Sequence, residues 1–153
     1  MCHECNSTYK LAKDPTRHID PIIRNTTGTR RKAFYSYAAV ASGISVTVSL
    51  KTKDVRNLLP KDIDLQFTAP GREEEVEAWN DVFGIKERYT AKFCAKNDGK
   101  AWLQHITEEG TNGEVTSEQL LALTLRAADR SPFDSANFLK KPFLTACKDA
   151  KII

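Results

Sequence analysis

The stretch Ile44-Ser45-Val46-Thr47-Val48-Ser49-Leu50 alternates strictly between apolar residues and Ser or Thr. Successive strand residues face opposite sides, so this spacing writes one apolar face and one hydroxyl face, and β-branched residues favour the extended form. Asp62-Ile63-Asp64-Leu65-Gln66-Phe67-Thr68 repeats the pattern. The connection between them, residues 51–61, contains Leu58-Leu59-Pro60 and is too long for a tight hairpin. An antiparallel pair with one solvated face is the simplest outcome, and its apolar face needs cover from elsewhere in the chain.

That cover is written downstream. Pro70-Gly71 ends the sheet, and Arg72-Glu73-Glu74-Glu75 starts a helix whose carboxylates suit the positive end of its dipole. Paired acids at 73–77 could also serve acid–base or metal chemistry, but a helix-start charge run is the simpler reading. Val76, Trp79, Val82 and Phe83 share a helical face. Gly84 marks a break. Ile85, Tyr89 and Phe93 then recur every four residues, and Trp102 and Ile106 extend a helical pattern past Asn97-Asp98-Gly99. Gly110-Thr111-Asn112-Gly113 reads as a turn. Thr116-Ser117-Glu118 caps a helix in which Leu120, Leu121, Leu123 and Leu125 are expected to be mostly buried. A last helix opens between Asp134 and Asn137 and carries Phe138, Leu139, Phe143 and Leu144, with Pro142 kinking it or resetting its start. Cys94 and Cys147 stand among apolar neighbours on these helices and read as small buried hydrophobes, with Cys94 left open as a zinc ligand.

The 153 residues suffice for one domain with a real core, and 41% hydrophobic with 28% charged residues is an ordinary globular balance. The apolar run Ala38-Ala39-Val40-Ala41 is far too short to span a bilayer. No cationic start precedes an apolar segment, so a cytoplasmic protein with reduced thiols is expected, without a membrane partner. Four cysteines in this length do not make a disulfide framework. The net charge of +3 is unevenly spread. Residues 1–36 hold seven basic and three acidic groups; the remainder holds 16 basic and 17 acidic. Such a patch attracts phosphate backbones, though charge alone fits a solvated basic segment equally well.

The basic patch lies beside Met1-Cys2-His3-Glu4-Cys5-Asn6-Ser7-Thr8-Tyr9-Lys10. Two thiolates three residues apart can grip one zinc ion from a tight turn, and two more ligands complete a tetrahedron. No second C-x-x-C follows, so the rest must come from His3, Cys94, Cys147 or another chain, or be absent. Residues 2–13 are expected to turn from the cysteines into a short helix that Asp14-Pro15 breaks. Residues 14–32, with Pro21, Asn25-Thr26-Thr27 and Gly28, read as loop, and His18 as an exposed loop histidine. In Arg30-Arg31-Lys32-Ala33-Phe34-Tyr35-Ser36-Tyr37, packing suits Phe34 and Tyr37, and binding suits the cations.

The opening decamer resembles the closing part of the HNH endonuclease motif in its C-x-x-C-Asn-x-x-x-Lys form. The resemblance covers residues 2–13, and more weakly about 30–37 and 75–93. It implies a ββα-metal motif, with Cys2 and Cys5 as a structural Zn²⁺ pair and Asn6 as the third letter of the motif at a catalytic divalent metal such as Mg²⁺. Lys10, Lys13, Arg17, Arg30, Arg31 and Lys32 are then the expected DNA contacts. In that family the water-activating histidine precedes the cysteine pair, which here would be before Met1. The implied activity is metal-dependent phosphodiester hydrolysis, incomplete or inactive in this chain alone unless an upstream-encoded chain or a second copy completes the site. The implied setting is bacterial or phage. A non-catalytic module derived from such a nuclease, binding nucleic acid or protein, is the alternative. A third reading is an unrelated α+β interaction domain whose cysteines bind adventitious zinc.

The expected fold class is α+β: a short CxxC-helix remnant, a small antiparallel sheet at about 44–50 and 62–68, then a helical C-terminal region. Residues 1–37 form the CxxC segment with its basic and aromatic arm, and 38–153 the body, together one compact domain.

Overall fold

The structure is a computed structural model, and it describes residues 22–24, 30–32, 44–112, 115–132 and 136–153. The fold is α+β and mostly helical. In order, the described elements are β1 (Ile22–Arg24), β2 (Arg30–Lys32), β3 (Ser45–Leu50), a 3-10 turn (Pro60–Asp62), β4 (Ile63–Thr68), α1 (Glu73–Phe83), α2 (Ile85–Cys94), α3 (Gly99–Asn112), α4 (Ser117–Arg130) and α5 (Asn137–Asp149). The chain divides into two compact units, Met1–Ser45 with Phe67–Lys86, and Val46–Gln66 with Glu87–Ile153. The expected helix over 2–13, with Cys2, Cys5, Asn6, Lys10, Lys13 and Arg17, and the rings of Phe34 and Tyr37 lie outside the described residues.

β3 pairs with β4, and the Lys51 N–H at the end of β3 donates to the Asp62 carbonyl at the start of β4 over 2.8 Å. End thus meets beginning, as in an antiparallel pair. The alternation survives in the burial: Ile44, Val48, Ile63, Leu65 and Phe67 are buried, while Ser45, Thr47, Ser49, Gln66 and Thr68 are exposed. The connection is held by its own residues. Leu58 is buried, the Asp54 carboxylate accepts from the Asn57 side chain at 2.8 Å, and Asp62 accepts from the Leu59 N–H at 3.1 Å.

In the first unit, α1 buries Val76, Ala78, Trp79 and Phe83, and Trp79 meets the Phe67 ring edge-on at 5.3 Å. Gly71 takes a φ of 76° and donates to the Glu73 carboxylate at 2.9 Å, while Glu75 holds Arg72 at 2.6 Å. The backbone amides of Glu73 itself and of Gly71 hold the Glu73 carboxyl below its ordinary range. Glu73 and Glu75 are thus engaged at the start of their helix, which is the helix-start reading of the acidic run. Gly84 ends α1 in the left-handed region at φ 58°, donating to the Asn80 carbonyl at 2.7 Å. The Asn80 side chain then accepts the Lys86 N–H at 2.9 Å, so one residue serves the end of α1 and the start of α2.

In the second unit, α3, α4 and α5 pack on one another. Phe93, Ile106, Leu121, Leu139, Phe143, Leu144 and Cys147 form the buried centre. Phe93 and Phe143 stack at 5.0 Å with 8° between planes, and Trp102 sets its edge against both. Thr116 caps α4: its hydroxyl accepts the Gln119 N–H at 3.2 Å, while the Gln119 side chain returns to the Thr116 N–H at 2.9 Å. Asn137 ties the start of α5 to the Ser131 carbonyl at 2.9 Å. α5 begins at Asn137 and runs through Pro142, a residue with no N–H of its own to donate.

Four expectations need correction. The segment read as loop over 14–32 contains an antiparallel strand pair, Ile22–Arg24 with Arg30–Lys32. Neither tripeptide alternates, so neither carries a period-2 signal. The helical pattern expected to run past 97–99 is broken there: α2 ends at Cys94 and α3 starts at Gly99. The turn expected at 110–113 does not begin at Gly110, because α3 continues to Asn112. Gly110 is there for close approach: a Cβ would lie 2.4 Å from the Ser117 Cα. Of the four leucines of α4, only Leu121 is fully buried, Leu120 and Leu125 are half-buried, and Leu123 is 57% exposed. A helix buries positions such as 121 and 128, seven apart on one stripe, rather than alternate residues.

Candidate nucleic-acid interface

Arg30, Arg31 and Lys32, picked out by their charge, make up the whole of β2. The register with β1 sets Arg24 opposite Arg30, Ile23 opposite Arg31 and Ile22 opposite Lys32. Alternation along a strand puts positions 30 and 32 on one face and 31 on the other. Position 24, paired with 30, joins the first face, so three basic positions share it with Ile22. α1 lies against both strands.

Arg24 was counted in the basic patch but not singled out as a contact; the register brings it into the site. The signal for it was the six-residue spacing from Arg24 to Arg30 across Asn25-Thr26-Thr27-Gly28-Thr29, which is rich in turn formers. Cys2, Cys5, Asn6, Lys10, Lys13 and Arg17 lie outside the described residues.

Cys94 and Cys147 differ. Cys147 is fully buried in α5, and burial pushes its thiol up to about 12. Burial of this kind favours the thiol over the thiolate. Cys94 is only half-buried, less than expected. Burial raises its thiol pKa, with Lys100 opposing the rise and Asp62 adding to it. Among the described residues, no three His, Cys, Asp or Glu side chains are grouped to hold a metal ion. No described helix is long and apolar enough to cross a membrane.

The chain matches no known protein family, no curated protein and no solved structure.

Proposed function

We propose that this chain is an HNH-endonuclease-like protein that binds DNA through the cations of β2 and serves metal-dependent phosphodiester hydrolysis. The observation that carries the reading is the basic strand Arg30-Arg31-Lys32, with Arg24 opposite, in the same segment as Cys2-His3-Glu4-Cys5-Asn6.

Each residue has a physical task. Arg30, Arg31 and Lys32 neutralise backbone phosphates and fix the register of the duplex. Cys2 and Cys5 are soft thiolate donors at the spacing of half a zinc site, and a zinc ion held by them would stiffen the chain at Asn6. Asn6 would supply a side-chain oxygen to hold a divalent ion and an amide N–H to hold the scissile phosphate. A magnesium ion bound there would stabilise charge on the leaving oxygen. The remaining zinc ligands would come from His3, Cys94, Cys147 or another chain, and an upstream-encoded segment or a second copy would supply the water-activating histidine, which neither His3 nor His18 matches.

Purified chain is expected to hold zinc tightly, one ion per chain or per dimer, and to nick plasmid DNA in Mg²⁺ slowly or not at all. Absence of zinc, or zinc unaffected by Cys2→Ser with Cys5→Ser, contradicts the clasp. Robust nicking that disappears in Asn6→Ala contradicts the need for a completing segment.

A further inference from the structure

The second unit carries a cationic groove that the reading above does not use. It has a volume of about 680 Å³, and Val55, Arg56, Lys96, Lys100, Leu103 and Glu108 are among the residues that line it. Lys100, Leu103, Gln104, Thr107 and Glu108 recur at helical spacing, so α3 presents one stripe to the groove, charged plus at its first turn and minus two turns later. That first turn contains no acidic residue, so the positive end of the helix dipole adds to the three cations.

Of the carboxylates nearby, Asp98 is paired with Lys92 at 2.6 Å, while Asp54 and Glu108 accept from the neutral amides of Asn57 and Gln104 and keep their charge, Asp54 within reach of the Arg56 charge. The Lys100 ammonium donates to the Arg56 carbonyl at 2.9 Å, which fixes the connection between β3 and β4 against the start of α3. Arg56 and Lys96 are exposed. Their charges stand at the mouth of a groove whose wall is partly apolar.

We propose that this groove is a second nucleic-acid contact, taking the phosphodiester backbone at Arg56, Lys96 and Lys100 and the flat or apolar part of a nucleotide along Val55 and Leu103. The choice of nucleic acid as the polyanion rests on the function proposed above. Charge complementarity carries the rest: three cations line the groove with one carboxylate, Glu108, which lies two turns along α3 from Lys100. Lys100 both positions the loop and adds charge; Arg56 and Lys96 contact phosphate.

The test is duplex binding by the full chain, read by anisotropy of a labelled oligonucleotide across a salt series. Arg56→Gln with Lys96→Gln is expected to lower the slope of log affinity against log salt by about two units. It is expected to weaken binding at 0.1 M salt by roughly tenfold or more. Both residues are exposed, so the melting temperature stays at the wild-type value. Arg126→Gln with Arg130→Gln removes the same charge from exposed positions of α4 and is expected to change the slope little. An unchanged slope in the groove variant overturns the proposal, as does an equal loss in the α4 variant. Displacement of DNA by polyglutamate at matched charge, lost in the groove variant while DNA affinity is kept, overturns it in favour of an acidic peptide. Binding lost only on neutralising Arg30, Arg31 and Lys32 sinks the groove while leaving the function standing. A wild-type chain that binds no duplex sinks both.

Discussion

Truncating Phe93 to alanine is expected to cost the helical unit about 3–5 kcal/mol. The ring is fully buried, stacked on Phe143 at 5.0 Å and met edge-on by Trp102 at 6.4 Å. The loss adds a transfer term, a cavity and two aromatic contacts of about 0.5–1.5 kcal/mol each. The last turn of α2 and the first turn of α3 are both set by this cluster, and Trp102 extends it to Lys140, whose ammonium lies 5.6 Å from the indole centroid. Domains are stable by only about 5–15 kcal/mol, so a loss of this size leaves little. Urea unfolding followed by tryptophan fluorescence and far-ultraviolet dichroism measures it. A large fall in midpoint at unchanged slope is expected, and a loss under about 1 kcal/mol contradicts the packed cluster.

Gly99→Ala is the second large effect, and its sign is the informative part. Gly99 opens α3, where propensity alone favours alanine by up to about 1 kcal/mol. Packing opposes it. A Cβ on Gly99 would lie 2.1 Å from the Phe93 carbonyl oxygen and 2.5 Å from its Cα. These are backbone atoms, so no flexible side chain can yield, and α2 and α3 must move apart. A net destabilisation of about 2–3 kcal/mol is expected from overpacking, read by the same unfolding experiment. The shift also pulls Lys100 from the Arg56 carbonyl, so amides of residues 51–61 are expected to exchange faster. Stabilisation by alanine contradicts the close corner between the two helices.

These two sites show which parts of the fold were legible. The β3 and β4 strands were, because one face is buried and the other solvated, and burial of that kind leaves a period of two. The Gly84 break and the Thr116 cap were legible because each is a local backbone requirement met by one residue type. The roles of Gly99 and Gly110 were not: both read as turn formers by composition, yet each permits a close approach to a partner several residues away. Leu123 misled because hydrophobicity was counted without asking which stripe of α4 faces its neighbours. In the candidate site, the cations of β2 were legible as charge, but not as a strand. The tripeptides Ile22-Ile23-Arg24 and Arg30-Arg31-Lys32 carry no periodicity, and the pairing that brings Arg24 opposite Arg30 is a tertiary choice. The groove around Lys100 was invisible for the same reason, since Arg56 and Lys100 meet across 44 residues of chain.

The most direct measurement is the affinity of the full chain for duplex DNA as salt is raised, wild type beside Arg30→Gln/Arg31→Gln/Lys32→Gln. Three phosphate contacts predict a slope shallower by roughly three units in the variant, with most of the low-salt affinity gone. Duplex affinity that is absent in the wild type, or present with the same salt slope in both proteins, contradicts the nucleic-acid reading of the basic strand.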